Sequence, residues 1–454
     1  MRSRLFLIGI VFVLILSACQ AQAQTPVTSP ASGEVTSEPS PLALPTATEP
    51  GEPVEPAPTQ APTAATSSTP GETASGETLQ AGCTVVSAQP TPGPEEQSMF
   101  PPVSETDWVL GPAGAPVTIL EYSDFQCPYC AQLAPILDQL HERYPDQVQV
   151  VFRHLPLIGT PDSPFHDKAA LGAQAAEASG LQDKFWEMHD LLFAKQSEWV
   201  NLTPDEFQPW LLEQAETLDL DAARFEQDLN SEALVQMAND AWETGQANGM
   251  VYTPLVLVNG QLWPNNLPIS LENLSSIVKV KILKPRQFTA CPPMEVDPAK
   301  QYIATLNTEK GDIVIELYPD KAPLAVNSFI FLAEQGWFDN VTFHRVLPGF
   351  VAQTGDPTGT GYGGPGYAFA NEISEDLKFD EEGVVAMANS GPDSNGSQFF
   401  ITLGPVERLN GGYTLFCPVL VGRGGVEKIT PPRPSASVGV SAGGKNLSVT
   451  IDEK

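Results

Sequence analysis

Hydrophobic and polar positions divide the chain into four stretches of different texture. The first is an unbroken apolar run, Leu5–Leu16, preceded by Arg2 and Arg4 and followed by Ser17-Ala18-Cys19. From Gln20 to Pro102 large apolar residues are scarce and no period holds, while Pro, Thr, Ser, Ala and Glu dominate. Half-apolar runs return at Val117–Asp124 (VTILEYSD) and Val148–Arg153 (VQVVFR), the pattern of strands. Between them, Ala131–Tyr144 sets Leu133, Ile136, Leu137 and Leu140 on one face of a helix. Helical spacing continues over Ala169–Gly180, Gln182–Gln196, Pro204–Leu218 and Ser231–Gly249, with the Trp and Phe residues between Phe185 and Phe225 as core. An apolar strand entered through a proline, Thr253–Gly260, closes this third stretch. From Tyr302 the period becomes two, predicting strands Tyr302–Thr308 and Asp312–Tyr318 before an amphipathic helix Ala322–Gln335.

A length of 454 residues fits two or three folding units. The texture divides it into a leader (1–19), a tether (20–103), a first domain (104–285), a linker (286–300) and a second domain (301–454). A charged start, an apolar run and small residues before a cysteine describe a secretory leader rather than a spanning helix. The tether cannot bury enough apolar surface to offset its conformational entropy, so it is expected to be disordered. As a random coil it reaches ~50 Å.

Charge removes one class of function. Against 23 Lys and Arg stand 55 Asp and Glu, a formal charge of −32, which repels phosphate backbones and excludes nucleic acid as a partner.

Six cysteines carry the candidate chemistry: Cys19, Cys83, Cys127, Cys130, Cys291 and Cys417. Cys127-Pro128-Tyr129-Cys130 is a C-x-x-C motif that follows a strand and opens a helix. Orphan N–H groups and the positive end of the helix dipole stabilise a thiolate at Cys127, and Cys130 lies one turn in, placed to resolve a mixed disulfide. A structural disulfide or half of a zinc site are the alternatives, but no second cysteine pair or paired histidine supplies four zinc ligands, and no metal or cofactor is expected. With no Lys or Arg between Arg4 and Arg143, and with Glu121 and Asp124 close by, the thiolate should rest mainly on the helix terminus and the site should be a moderate oxidant. Cys83 and Cys291 flank the domain that holds the motif. A bridge between them would clip its ends together, although spacing does not fix connectivity. Cys417, in the apolar run Tyr413–Val421, reads as a buried and inert thiol.

Three resemblances extend this reading. Leu16-Ser17-Ala18-Cys19 resembles a bacterial lipobox, which implies a lipid on Cys19 and a protein anchored to a bacterial membrane on its extracytoplasmic side. Residues 104–284 resemble the DsbA-like branch of the thioredoxin superfamily: strand, C-x-x-C, helix, strand, helical insertion, then Thr253-Pro254. That likeness implies that Thr253 and Pro254 form a cis-proline loop binding substrate backbone, and that Glu121 is a buried proton-handling carboxylate. It also implies a membrane redox partner.

The third is carried by Phe343-His344-Arg345-Val346-Leu347-Pro348-Gly349-Phe350-Val351-Ala352-Gln353-Thr354-Gly355-Asp356, by Met387–Pro392 (MANSGP) and by Asn395–Phe400 (NGSQFF). These blocks resemble the cyclophilin-type peptidyl-prolyl isomerase signature over residues 302–453. The implied fold is an all-β closed barrel with two helices, after the α/β thioredoxin-like domain. Rotation about an X–Pro bond faces a barrier of ~18–20 kcal/mol, so a catalyst must hold the ring and stabilise the twisted amide. By the resemblance, Arg345 donates to that amide and Phe350, Val351, Phe400 and Leu409 line the proline pocket. Gln353 and Asn389 hold the substrate backbone, and Ala388 and Gln398 shape the groove. The chain departs from the common pattern with Arg408 for tryptophan, Tyr413 for histidine, Val351 for methionine and Thr354 for glycine; Tyr413 can keep one pocket wall. Gly361–Gly366 matches G-x-G-x-x-G but lacks a following helix, so it reads as a loop.

Two classes of function follow. One is a membrane-tethered catalyst of extracytoplasmic folding, acting on unfolded polypeptides by thiol–disulfide exchange and prolyl isomerisation. The other is a non-catalytic chaperone or scaffold that binds unfolded peptide.

Overall fold

The computed structural model describes residues 82–86, 99–160, 163–426, 428–429 and 444–454. The expected leader, the lipid site Cys19 and nearly all of the tether lie outside these residues. Among the described residues no helix is long and apolar enough to cross a membrane.

The first domain is built on a five-stranded sheet in the order Trp108–Leu110, Val148–His154, Val117–Ser123, Leu255–Val258, Gln261–Leu262. Its central pair, Val117–Ser123 and Val148–His154, is parallel, and the connection runs through the helix Pro128–Arg143. One face of the sheet packs Val117, Ile119, Val148, Val150 and Val256 against Leu133, Leu137 and Leu140 of that helix. The helical insertion spans Ala169–Gly180 to Glu232–Ala247. Expected boundaries move where caps decide them. The second inserted helix starts at Phe185 rather than Gln182, after Asp183 takes a left-handed φ of 61°. Ser231 caps Glu232–Ala247 by accepting from the Leu234 N–H. Two helices of eight residues or more were not anticipated. Ala222–Leu229 starts on an Asp221 cap, and Leu271–Leu283 on a Ser270 cap.

The second domain is a nine-stranded sheet around the helix Pro323–Glu334, which packs Ala325, Val326, Phe329 and Leu332 into its core. The edge strands, Val341–Thr342 and Arg345–Leu347, are separated only by Phe343 and His344. The sheet must therefore curl until its two edges are neighbours; no ladder joins them among the described residues. A four-residue helix, Arg423–Val426, is the second helix.

Three of the sheet's strands are apolar on both faces. Val385, Met387, Phe399, Ile401 and Ala352 point into the main core, while Val384, Ala386, Phe400 and Val351 point the other way into a second cluster. This side-chain alternation is the period of two, filled with apolar residues on both sides.

The stretch expected to be disordered is corrected at its end. Cys83–Val85 is a strand, antiparallel to Tyr367–Phe369 of the second domain. Cys83 is disulfide-bonded to Cys291, and both pack against the second domain's core. Pairing and a covalent tie overcome the segment's low hydrophobicity. The residues read as a linker are likewise docked. Asn327 accepts from the Glu295 and Val296 N–H groups and donates to the Pro293 carbonyl, and Phe288 lies against Phe331 and Trp337. The chain thus enters and leaves the first domain through a neck fastened to the second.

Candidate functional sites

Cys127 occupies the N-cap position of Pro128–Arg143, in extended conformation, with Pro128 at the first helical position. Proline suits that place because its missing N–H has no partner to lose there. Both motif cysteines are free thiols and both are buried, Cys127 at 3% exposure and Cys130 at 0%, whereas Tyr129 between them is 67% exposed. The Cys127 thiol donates to the Thr253 carbonyl at 3.5 Å, across a gap of 126 residues. The Thr253–Pro254 peptide is cis and opens the strand Leu255–Val258, which pairs with Val117–Ser123. Sheet register thus brings the motif and the proline loop together.

The electrostatics separate the two sulfurs. A hydrogen bond from Cys130 holds the Cys127 thiol down to about 6, against the cost of burial and with help from the Cys130 and Tyr129 backbone. Burial pushes the Cys130 thiol well up, and its bond to Cys127 adds to this. The expectation that the helix terminus would dominate is corrected: the neighbouring thiol comes first and the backbone last.

Histidines invisible to motif reasoning flank the site. Asp124, 1% exposed, accepts from the Gln126 and Leu157 N–H groups at 2.8 Å each and pairs with His166 Nδ1 at 2.7 Å. Burial disfavours the charged His166 ring, but its bond to Asp124 and the Asp124 and Cys127 charges raise its pKa above the usual value. Glu121 is 1% exposed, on the same strand face as the buried Ser123. One Glu121 oxygen has no hydrogen-bond partner, and the other lies 3.9 Å from His189 Nε2. His189 is buried and bonds Asp190 through Nδ1 at 2.8 Å. Burial disfavours the charged ring, but Asp190 and Glu121 raise its pKa above the usual value. On the motif helix, burial and the Asp190 carboxylate push Asp138 up to about 6. Glu121 and His189 thus lie buried together, and the half-buried Asp138 on the motif helix is close enough to feel the charge of both.

The second site lies on the outward face of the curled sheet. Cross-strand register aligns Arg345 with Gln353, Gln353 with Phe400, and Phe400 with Ala386. Directly paired residues share a face, so one row carries an arginine, an amide and an aromatic ring side by side. Val351, Phe400, Ala386, Phe379 and Leu415 form an apolar cluster distinct from the core, with Phe350, Ala388, Leu409 and Tyr413 packed at its edge. Tyr413 stands edge-on to Phe400, with ring centres 5.6 Å apart. Arg345 and Arg408 both lie against the Phe350 ring, at 5.7 and 4.4 Å from its centre. Gln353 donates to Gln398 at 3.0 Å, and Gln398 donates to the Gly361 and Gly363 carbonyls. Asn389 uses its side chain within the fold. Its amide donates to the Gly412 carbonyl at 3.2 Å and its oxygen accepts from the Gly391 N–H.

The G-x-G-x-x-G stretch is a loop bound to Asp356, a carboxylate at 0% exposure that accepts from Thr358, Thr360, Gly361 and Gly363. Cys417 is buried and its thiol is pushed well above its usual value by that burial. Among the described residues no group of three His, Cys, Asp or Glu side chains could hold a metal.

Comparison with known proteins gives both sites a lineage. Residues 303–443 match the family described as cyclophilin type peptidyl-prolyl cis-trans isomerase, and residues 103–280 match a thioredoxin family. Peptidyl-prolyl cis-trans isomerase-like 1 of Homo sapiens is 46% identical over 145 residues, which are 31% of this chain and 86% of that protein. Peptidyl-prolyl cis-trans isomerase A of Mycobacterium tuberculosis is 43% identical over 145 residues, 29% of this chain and 80% of that protein. A crystal structure of a Cryptosporidium parvum cyclophilin type isomerase is similar at 33% identity, covering 34% of this chain and 98% of its own, with a TM-score of 0.31. The chain belongs to the cyclophilin-type peptidyl-prolyl cis-trans isomerase family and joins that domain to a thioredoxin-like one.

Proposed function

We propose that the chain is a bifunctional folding catalyst, tethered outside the cytoplasmic membrane through a lipid on Cys19. Its two chemistries are prolyl isomerisation and thiol–disulfide exchange. The observation that carries the isomerase reading is the row Arg345–Gln353–Phe400 beside an apolar cluster. A proline ring held on Phe350 and Phe400 leaves its amide beside Arg345. A guanidinium donating to the amide nitrogen favours the twisted state, in which resonance is lost and that nitrogen becomes an acceptor. No bond to the client forms or breaks.

The redox reading is supported by the burial and opposite displacement of the two thiols. The Cys127 thiolate attacks one sulfur of a client disulfide, and the other sulfur leaves with the electron pair. Cys130, its proton taken up by the buried carboxylate Glu121, then attacks Cys127 and releases the client as a dithiol. Run in reverse, the same steps oxidise a client. Net turnover in either direction needs a membrane partner that resets the Cys127–Cys130 pair.

Full-length Cys127→Ser and Arg345→Ala proteins test the reading. Cys127→Ser should abolish thiol exchange and leave isomerisation of a proline peptide intact, and Arg345→Ala should do the reverse. Folding assistance that is unchanged in both variants would support a non-catalytic chaperone instead. Metabolic labelling with a radioactive fatty acid should mark the wild type and not Cys19→Ala.

A further inference from the structure

Arg345 and Arg408 come from different elements, the edge strand Arg345–Leu347 and the turn Glu407–Leu409, yet both guanidiniums rest on the Phe350 ring. Both side chains are exposed, and neither has a carboxylate partner among the described residues. The contrast is with Arg153, Arg224 and Arg423, each paired with an acid at 2.7 to 3.4 Å. In a chain with 55 acids to 23 bases, two unpaired arginines meeting at one pocket wall make a local positive site. The aromatic ring holds both cations in place by its negative face and leaves their N–H forks free.

We propose that Arg408, together with Arg345, selects acidic clients: X–Pro bonds with an aspartate or glutamate on a residue flanking the proline. The proposal rests on the isomerase reading of this site. Phe350 is part of the pocket wall that would hold the proline ring. The neighbouring residues of a bound peptide have Cα atoms only ~3.8 Å further along the chain. A carboxylate on either neighbour therefore falls within reach of the guanidiniums, and a lysine there is repelled. Arg408 is a specificity residue in this scheme, and the twisting of the amide remains with Arg345.

The test uses the full chain and matched proline peptides with Glu, Gln or Lys on either side of the proline. At low salt we expect kcat/KM for the best Glu peptide to exceed that for the matching Lys peptide about fivefold, the scale of two exposed charge contacts. The ratio should fall toward one at ~1 M salt, where the screening length is ~3 Å. In Arg408→Gln the low-salt ratio should drop by half or more, and in Arg408→Lys, which keeps the charge, most of it should survive. A wild-type ratio of one, or a ratio that Arg408→Gln leaves unchanged, overturns the proposal. Failure to isomerise any of the peptides overturns the isomerase reading itself and the proposal with it.

Discussion

One pH unit above a pKa of about 6 a thiol is about nine-tenths ionised, and one unit below it about one-tenth. Cys127 should therefore react with a small disulfide or alkylating probe about tenfold more slowly at pH 5 than at pH 7, since the thiolate is the nucleophile. Absorbance of the thiolate checks the midpoint. Because the Cys130 hydrogen bond is the largest cause, Cys130→Ala should move that midpoint upward, toward the ~8.5 of a free cysteine. At the other site, Arg345→Ala removes the proposed donor to the twisted amide. Loss of one such donor typically costs about 100-fold or more, so kcat/KM on a proline peptide should fall by that order. These residues were legible because motif and strand context name them. His166 and His189 were not. His166 pairs with a carboxylate 42 positions earlier in the chain and His189 faces one 68 positions earlier, and no local pattern reports such a neighbour. Glu121 was legible as a buried acid, whereas the ring that faces it was hidden among core aromatics.

At the scale of elements, the strands of the second domain show why periodicity under-reads a site. Val384–Met387 and Phe399–Thr402 are buried at every position, because one face meets the core and the other the second apolar cluster. A run apolar on both faces looks like interior, and only the register with Arg345 reveals the groove. The neck is a second case. Cys83–Val85 has the composition of a tether and is a strand because Tyr367–Phe369 offers it a ladder. Gly366, next to that ladder, has φ +93°, and a methyl group there would meet the Phe288 carbonyl at 2.4 Å. Gly366→Ala should cost about 1–3 kcal/mol, read as a lower urea midpoint of the second domain. Reducing the Cys83–Cys291 bond, which closes a loop over a separation of 208 residues, should lower the same midpoint, with a typical loss of about 2–5 kcal/mol. Proteolysis of residues 82–86 after reduction would show which strand leaves first.

For the molecule as a whole, what matters is that one chain carries both sites. The disulfide neck ties the first domain's two ends to the second domain, so both proposed sites travel on one tethered molecule. Tethered sites see each other at effective concentrations of ~mM, far above those of free enzyme in a dilute assay. Prolyl isomerisation and disulfide formation both run in seconds to hours without catalysis, so a client limited by both can profit from that proximity. A mixture separates proximity from chemistry. Equal amounts of full-length Cys127→Ser and Arg345→Ala supply every active site at the same concentration as half as much wild type, but never two in one molecule. With a client whose refolding needs both steps, and enzyme below micromolar, the wild type should reach a given yield faster than the mixture. The advantage should shrink as enzyme concentration rises toward the effective concentration. Identical rates at every concentration would mean that clients leave between steps, and that the fusion brings no handover.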